Sequence, residues 1–211
     1  MGAICALVGL IAGIGLSLAA FAFGWLPFEK KEEGTVLSVE AGVNVSNAEL
    51  VELAYDVLQE IKEGDYKGLS EYVHPEYGVV FSPYATINLV TNKCFTASQV
   101  AAFGEDGTKY VWGLFDGSGE PIEMTPGEYF GRFVMDKDYT QVSHIGIDTI
   151  IRSGNALENI EEVFPNARYV DFHYEGSPEN TGLDWSSLRL GFEDYNGKLR
   201  LTVILHSEWT I

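Results

Sequence analysis

The chain has 211 residues, which is enough for one ordinary domain with a sizeable core. Its 13 Lys and Arg residues stand against 31 Asp and Glu residues, so the formal net charge at pH 7 is −18. This acidic balance argues against a nucleic-acid-binding function, because binding to phosphate groups requires a basic surface. The apolar fraction of 46% also excludes a chain that is disordered by composition.

Residues 1–28 carry no charged side chain. About 25 apolar residues in a helix can span the ~30 Å hydrocarbon core of a bilayer, and Trp25 and Phe28 lie where interfacial aromatic residues are favoured. We therefore expect a transmembrane anchor that holds the protein at the cell membrane. A cleaved signal peptide is the alternative, because Ala20-Phe21-Ala22 fits a cleavage site, and the protein would then be secreted. A buried core helix is the third interpretation.

Residues 29–45 indicate a polar spacer, and residues 46–211 indicate a single domain. Ser46 or Asn47 can cap a first helix that ends near Gly64. Its apolar residues recur at helical spacing: Leu50, Leu53, Ala54, Val57, Leu58 and Ile61. A short second helix is predicted over residues 66–73, because the residue before Pro75 avoids the helical region.

The middle of the chain alternates short elements with turns. Glycines at 117 and 119 predict a turn, because glycine readily adopts positive φ. Thr125-Pro126, followed by Glu128, is typical of a helix start. The other predicted elements are strands at 78–81 and 110–115 and helical turns at 98–103.

The last third is rich in predicted strands. They cover residues 144–151, 167–174, 187–192 and 199–209, with a helical turn at 156–163. Asn196-Gly197 predicts a type I′ hairpin between the last two strands. Helices followed by an antiparallel sheet favour an α+β domain with helices packed on one sheet face.

Strand alternation assigns side chains to the two faces of this sheet. The core face is predicted to carry Val170, Phe172, Tyr174, Leu188, Leu190, Phe192, Leu201, Val203 and Leu205. The opposite face is predicted to carry Tyr169, Asp171, His173, Arg189, Thr202 and His206. Asp171 and His173 can then form a carboxylate–imidazole pair for acid–base chemistry. A solvated or partner-facing surface is the alternative.

Several short blocks, in one order from Leu69 to the C-terminus, resemble an uncharacterised family of bacterial secreted or membrane-attached domains, many of them lipoproteins. The blocks are His74-Pro75, Gly78-Val79, Phe81-Ser82-Pro83-Tyr84, Trp112-Gly113, Asp116-Gly117-Ser118-Gly119-Glu120-Pro121-Ile122, Gly154-Asn155, Asp184-Trp185, Ser187-Leu188-Arg189-Leu190, His206 and Trp209-Thr210-Ile211. The resemblance implies a body outside the cytoplasm and brings no known activity. The sequence departs from the family at Leu199-Arg200 and lacks a well-placed lipoprotein cysteine.

The order of elements also resembles the nuclear-transport-factor-2-like cone, in which helices pack into a curved antiparallel sheet. Such cones host isomerases, dehydratases, ligand binders and interaction modules, so the fold does not select a function. Aromatic and polar residues of the family-like blocks lie beside predicted turns and strand ends, where the open end of a cone would hold a pocket. These candidate ligand-binding residues are Tyr84, Trp112, Asp116, Tyr129, Asp184, Trp185, Arg189, His206 and Trp209.

The alternative for the same residues is structural. Buried Trp and Tyr side chains commonly donate to a backbone partner, and Arg189 can pair with an acid such as Asp184. The spacing of the four histidines fits no zinc motif, and no phosphate loop or hydrolase elbow is present. The sequence therefore predicts neither a metal nor a cofactor.

Three functions follow as hypotheses. The first is a membrane-tethered, extracytoplasmic domain that binds a small ligand or a partner protein without catalysis. The second is an isomerase or hydrolase with an aromatic-lined pocket and His206 or Asp116 as the base. The third is a structural module of the cell surface. A deep pocket with a polar centre favours the enzyme, and a filled core favours the structural module.

Overall fold

A computed structural model describes residues 45–210 of the protein. The helices are α1 (Asn47–Glu63), α2 (Tyr66–Tyr72), α3 (Ala97–Ala101), α4 (Pro126–Tyr129) and α5 (Ile160–Val163). The strands are β1 (Val79–Ser82), β2 (Lys93–Phe95), β3 (Tyr110–Leu114), β4 (Pro121–Met124), β5 (His144–Ile147), β6 (Arg168–Tyr174), β7 (Ser186–Tyr195) and β8 (Lys198–Glu208). A π-helical turn, Phe130–Val134, continues α4.

Six strands form one sheet in the order β2-β1-β8-β7-β6-β5, and β3 pairs with β4 in a separate hairpin. Every neighbouring pair in the six-stranded sheet is antiparallel except β1 with β8, which run parallel. The α+β class with an antiparallel-rich sheet is therefore confirmed. The parallel pair was not predicted, because it joins two strands far apart in the chain.

Helix α1 forms where the apolar spacing predicted it. Ser46 and Glu49 make a reciprocal capping box: the Ser46 side chain accepts from the Glu49 N–H, and the Glu49 carboxylate accepts from the Ser46 N–H at 2.8 Å. Gly64 ends the helix with φ 68°. Most of the apolar stripe between these caps, including the fully buried Leu50 and Leu58, packs in the core, and Leu53 is partly buried at its edge.

The hairpin at Asn196-Gly197 is also confirmed. Both residues have positive φ, 53° and 83°, as a type I′ turn requires. Tyr195 pairs with Lys198 across the turn, so the two long strands β7 and β8 are joined by a two-residue loop. Strand β5 is shorter than predicted and ends at Ile147, because Asp148 turns the chain with φ 48°.

The two faces of the sheet are covered differently. We call the face packed against α1 the helix side, and it carries Phe172 and Leu190. The opposite face, the far side, carries Asp171, His173 and Arg189, as alternation predicted. All of these side chains are buried, so the far side is neither solvated nor open to a partner in this conformation.

Alternation misassigned the end of β8. Gly191 and Phe192 of β7 pair with Val203 and Leu201, so Thr202 is an extra residue that bulges from β8. One inserted residue exchanges the faces of every side chain beyond it. The predicted sides of Val203, Leu205 and His206 are therefore wrong: Val203 and Leu205 pack on the far side, and His206 contacts Phe133 on the helix side.

No helix within residues 45–210 is long and apolar enough to cross a bilayer. The anchor or signal predicted for residues 1–28 lies outside the described residues. So does the predicted spacer except for Val45, whose carbonyl accepts a hydrogen bond from Arg168 at 2.7 Å. Membrane attachment thus stays a prediction.

Candidate functional site

Trp112 and Tyr129 lie in the core on the helix side. Their rings stack with centroids 3.9 Å apart, and their side chains are 0% and 1% exposed. The Trp112 Nε1–H donates to the Met124 carbonyl at 2.8 Å. Burial raises the pKa of the Tyr129 hydroxyl well above its usual range. This placement matches the structural alternative, in which the tryptophan is a core residue with a backbone partner.

The core around Trp112 and Tyr129 is filled with aromatic rings. Phe81 lies at the centre, with the Trp112 and Tyr129 rings 5.4 and 5.9 Å from its own. The surrounding rings are those of Phe95, Phe103, Phe130 and Phe133. Aromatic pairs in such edge-to-face contact stabilise a core beyond their buried area.

His206 contacts Phe133 of this cluster and belongs to a series of polar side chains that contact one another. Its Nδ1 is 3.3 Å from the Pro83 carbonyl oxygen, and its Nε2 is 3.3 Å from Asp136 Oδ1. The Tyr139 hydroxyl donates to Asp136 Oδ1 at 2.6 Å and lies 2.8 Å from Ser186 Oγ. Burial opposes the ionisation of Asp136, but the His206 and Tyr139 contacts leave its pKa lowered. With 1% exposure, His206 cannot touch a molecule in solvent.

Arg189 is the centre of an ion network on the far side. Its side chain is fully buried, pairs with the Glu158 carboxylate, and places Nε 3.3 Å from Asp171 Oδ2. Asp171, also fully buried, accepts the Ile151 N–H at 2.9 Å. Arg189 thus pairs with acids, as the structural alternative predicted, but the acids are Glu158 and Asp171 and not Asp184, because the chain that covers the far side brings Glu158 to the guanidinium.

The Asp171–His173 pair predicted for acid–base chemistry does not act as one unit. Asp171 binds Arg189, whereas His173 Nδ1 lies 2.9 Å from Ser187 Oγ. Burial lowers the pKa of His173, and the nearby Asp171 carboxylate opposes that shift. Asp171 and His173 therefore each contact a different side chain of β7, and both are buried.

The remaining predicted residues lie apart from one another. Asp184 accepts from the backbone N–H of Ser177 at 2.6 Å and from the Asn180 side chain at 2.9 Å, and these bonds lower its pKa to about 2. Trp185 is 1% exposed under the Arg152 guanidinium, which lies 5.2 Å from its ring centroid. Trp209 follows β8 and is 43% exposed.

A segment without helix or strand, residues 148–159, covers the far side, and we call it the strap. Asn159 binds both backbone groups of Ile87, with distances of 2.8 and 2.9 Å. The Thr86 hydroxyl donates to the Leu157 carbonyl at 2.7 Å. The strap is therefore attached at one end to the loop that follows β1.

The strap, that loop and the β3–β4 turn surround an open cleft of about 370 Å³, the rim cleft. Its lining includes Pro83, Tyr84, Asn88, Phe115, Asp116 and Ala156. Tyr84 and Asp116 are the two predicted site residues that the structure brings together here. Sequence reasoning missed Asn88 and Ala156, because neither residue type nor spacing marks a loop residue that becomes a wall only after folding.

The walls of the rim cleft are held in place by local contacts. The Tyr84 ring packs edge-on against Phe133, with centroids 5.7 Å apart. Burial raises the pKa of the Tyr84 hydroxyl, although the Asp116 backbone N–H donates to it and opposes the rise. Asn92 Oδ1 accepts the Asn88 N–H at 2.7 Å, which braces the loop. These contacts fix the Tyr84 ring and the loop around Asn88 on two sides of the cleft.

Among residues 45–210, no three His, Cys, Asp or Glu side chains are grouped so that they could hold a metal ion. The polar groups of the rim cleft are instead hydroxyls, amides and one carboxylate. Such a set can orient a small organic molecule by hydrogen bonds and charge.

No protein-family model matches the chain, and no curated protein matches it. Among solved structures, the chain is similar to an NTF-2 like protein of unknown function from Shewanella oneidensis, with 10% identity over 75% of this chain and 95% of the other, at a TM-score of 0.29. It is also similar to a domain from Xanthomonas campestris described as a calcium/calmodulin dependent protein kinase II association domain, with 12% identity over 80% and 91%, at a TM-score of 0.33. At these values the similarities carry no conclusion about function.

Proposed function

We propose that the domain is a non-catalytic binding module that holds a small organic molecule in the rim cleft. The observation that carries this proposal is the cleft itself, which combines the aromatic side chains of Tyr84 and Phe115 with the Asp116 carboxylate in about 370 Å³. That volume lies within the range of about 300–1,000 Å³ typical of ligand pockets.

The positions of the buried histidines favour binding over catalysis. His206 and His173 are 1% and 3% exposed, and each is engaged by a neighbouring group. A general base must lie within hydrogen-bond reach of the proton it abstracts. The enzyme hypothesis therefore loses His206 as its base. Its other predicted base, Asp116, is the one charged side chain among the described residues that line the cleft, so this lining does not present a charged acid and base together.

The binding role is tested by filling the cleft. Ala156 is half-buried in the strap, and Ala156→Phe would occupy part of the cleft. The matched control is Ala48→Phe, an equal change at an exposed position of α1. A small-molecule collection screened against the full chain by ligand-observed NMR should yield compounds that Ala156→Phe displaces and Ala48→Phe does not. A set of binders that is indifferent to Ala156→Phe would place the binding role elsewhere.

The proposal includes a membrane tether, supported by the uncharged residues 1–28, and an extracytoplasmic body, which only the resemblance to secreted and membrane-attached domains supports. Full-length protein should stay in the membrane pellet after alkaline carbonate washing, with its N-terminus intact. A soluble chain that begins at Phe23 would replace the anchor with a cleaved signal.

A further inference from the structure

We propose that the molecule held in the rim cleft is an organic ammonium ion, with its positive charge at Asp116 and its apolar part against the aromatic wall. This inference rests on the proposed binding role and adds the chemical class of the ligand. Of the described residues that line the cleft, Asp116 is the one with a charged side chain.

The Asp116 carboxylate is available to a cation. Its Oδ1 accepts a hydrogen bond from the Gly117 N–H at 3.1 Å. Within the part of the chain that the structure describes, the ion pairs involve other carboxylates and leave Asp116 without a cationic partner. A carboxylate has about four acceptor sites, so Asp116 keeps capacity to accept from a ligand donor at the open cleft.

A nearby arginine does not neutralise the cleft. The Arg132 guanidinium is bound by Glu208, with Nη2 and Oε1 2.6 Å apart. The field around the cleft is further set by the net charge of −18 of the whole chain. A surface of this sign attracts small cations and repels anions. The favoured ligand is therefore positively charged.

The walls indicate an organic cation and argue against a metal ion. Tyr84 and Phe115 both line the cleft, and both pack against Phe133, with ring centroids 5.7 and 6.5 Å from it. An aromatic face attracts an ammonium group through the negative charge of its π-system. Ca²⁺ and Mg²⁺ instead take six or more oxygen ligands, with carboxylates prominent among them, and the described lining of the cleft supplies one carboxylate.

Apolar residues of the rim cleft can contact the apolar part of the ligand. Pro83, Leu114 and Ala156 supply apolar surface to the same cleft. Leu114 is 46% exposed although it is a large aliphatic residue, and Leu157 beside Ala156 is 70% exposed. A short alkyl or aryl chain would cover such surface, and removal of this apolar area from water favours binding.

The test compares amines with alcohols of the same shape. Benzylamine and butylamine, and their neutral partners benzyl alcohol and butanol, are titrated into the full chain at low salt, with NMR shifts of cleft residues as the readout. Each amine should bind more tightly than its alcohol. Added salt should weaken the binding of the amines and leave the alcohols unchanged.

Two variants assign the charge to Asp116. Asp116→Asn keeps the shape and an acceptor for the Gly117 N–H, and it should weaken amine binding about tenfold, the usual effect of losing one charged hydrogen bond. Glu123→Gln removes an exposed charge from β4, outside the lining of the cleft, and should leave amine binding unchanged. Tyr84→Leu should weaken amines a few-fold.

The outcomes separate the two proposals. Alcohols that bind at the cleft as tightly as the amines, or amines that tolerate Asp116→Asn, would overturn the cationic ligand and leave the binding role standing. If neither amines nor alcohols shift the cleft residues, the cationic ligand is overturned. The binding role falls with it only if the collection also contains no compound that Ala156→Phe displaces.

Discussion

The two sides of strands β6 and β7 differ in how they are closed. On the helix side, Phe172 and Leu190 meet the apolar stripe of α1, a helix whose backbone groups bind one another. On the far side, Asp171 and Arg189 meet the strap, which has no helix or strand. A covering helix needs only apolar contacts from the sheet, whereas a covering loop also needs hydrogen-bond partners for its main chain.

The charged side chains of Asp171 and Arg189 supply hydrogen-bond partners for the main chain of the strap. Asp171 Oδ2 accepts the Ile151 N–H at 2.9 Å, and Arg189 Nη2 donates to the Arg152 carbonyl at 3.4 Å. Glu158 of the strap then binds the same guanidinium. The buried ion network is therefore explained by the irregular backbone above it. Since Ala156 lies between these anchors and lines the rim cleft, the network also positions one wall of the candidate site.

The largest effect is expected on the helix side. Trp112→Ala removes a fully buried ring from contact with Tyr129 and Phe81, and it should lower the free energy of unfolding by about 3–5 kcal/mol. Urea denaturation of both proteins measures the difference. Trp209→Ala, at a site that is 43% exposed, is the matched control and should change stability far less. If both substitutions lowered the free energy of unfolding equally, the aromatic cluster around Trp112 would not stabilise the core as its burial indicates.

A slightly smaller effect is expected on the far side. Arg189→Met leaves the fully buried Asp171 without its cation, and loss of one partner of a buried pair lowers the free energy of unfolding by about 3 kcal/mol. Asp171→Asn should recover part of this loss in the Arg189→Met background. Lys62→Met is the control, because its pair with Asp138 is exposed and should contribute under ~1 kcal/mol. If Arg189→Met left the free energy of unfolding unchanged, the ion network would not be what holds the strap on the far side.

The smallest expected effect is a pH dependence of the far side. Burial lowers the pKa of His173 below its usual 6.5, against the opposing charges of Asp171 and Glu175, while Arg152 and His144 lower it further. As pH falls below about 6.5, the unfolded chain therefore takes up a proton that the folded chain binds less readily. The free energy of unfolding should be highest above that pH and should decrease as the pH falls below it.

Denaturant titrations between pH 7.5 and 5 measure this decline, a range in which the carboxylates of ordinary pKa, about 4, contribute little. His173→Gln should reduce the slope over that range without abolishing it, because burial also lowers the pKa of His74. His144→Gln, at an exposed position of β5, serves as the control and should leave most of the slope. The reverse pattern would assign the pH dependence to the sheet edge and not to the groups beneath the strap.

Local patterns predicted the parts of the fold that local physics controls. Helix α1 follows from apolar spacing, a Ser46 cap and a terminal Gly64, all within one segment. The turn at Asn196-Gly197 follows from the low cost of positive φ at those residues. Strands β2 and β4 were missed, because three or four residues carry too little pattern to stand out from loop.

The candidate site depended on contacts between distant segments. Tyr84 and Asp116 were both candidates, yet only folding brings them to one cleft and sends Trp112 to the core. The sequence by itself determined the α+β class, the composition of each sheet face along β6 and β7, and the acidic surface, because these depend on residue type and period. The tertiary structure alone decided the face of His206, through the bulge at Thr202, and the partner of Arg189, through the strap. Strand register and loop placement are properties of pairs of segments, so no single segment of sequence encodes them.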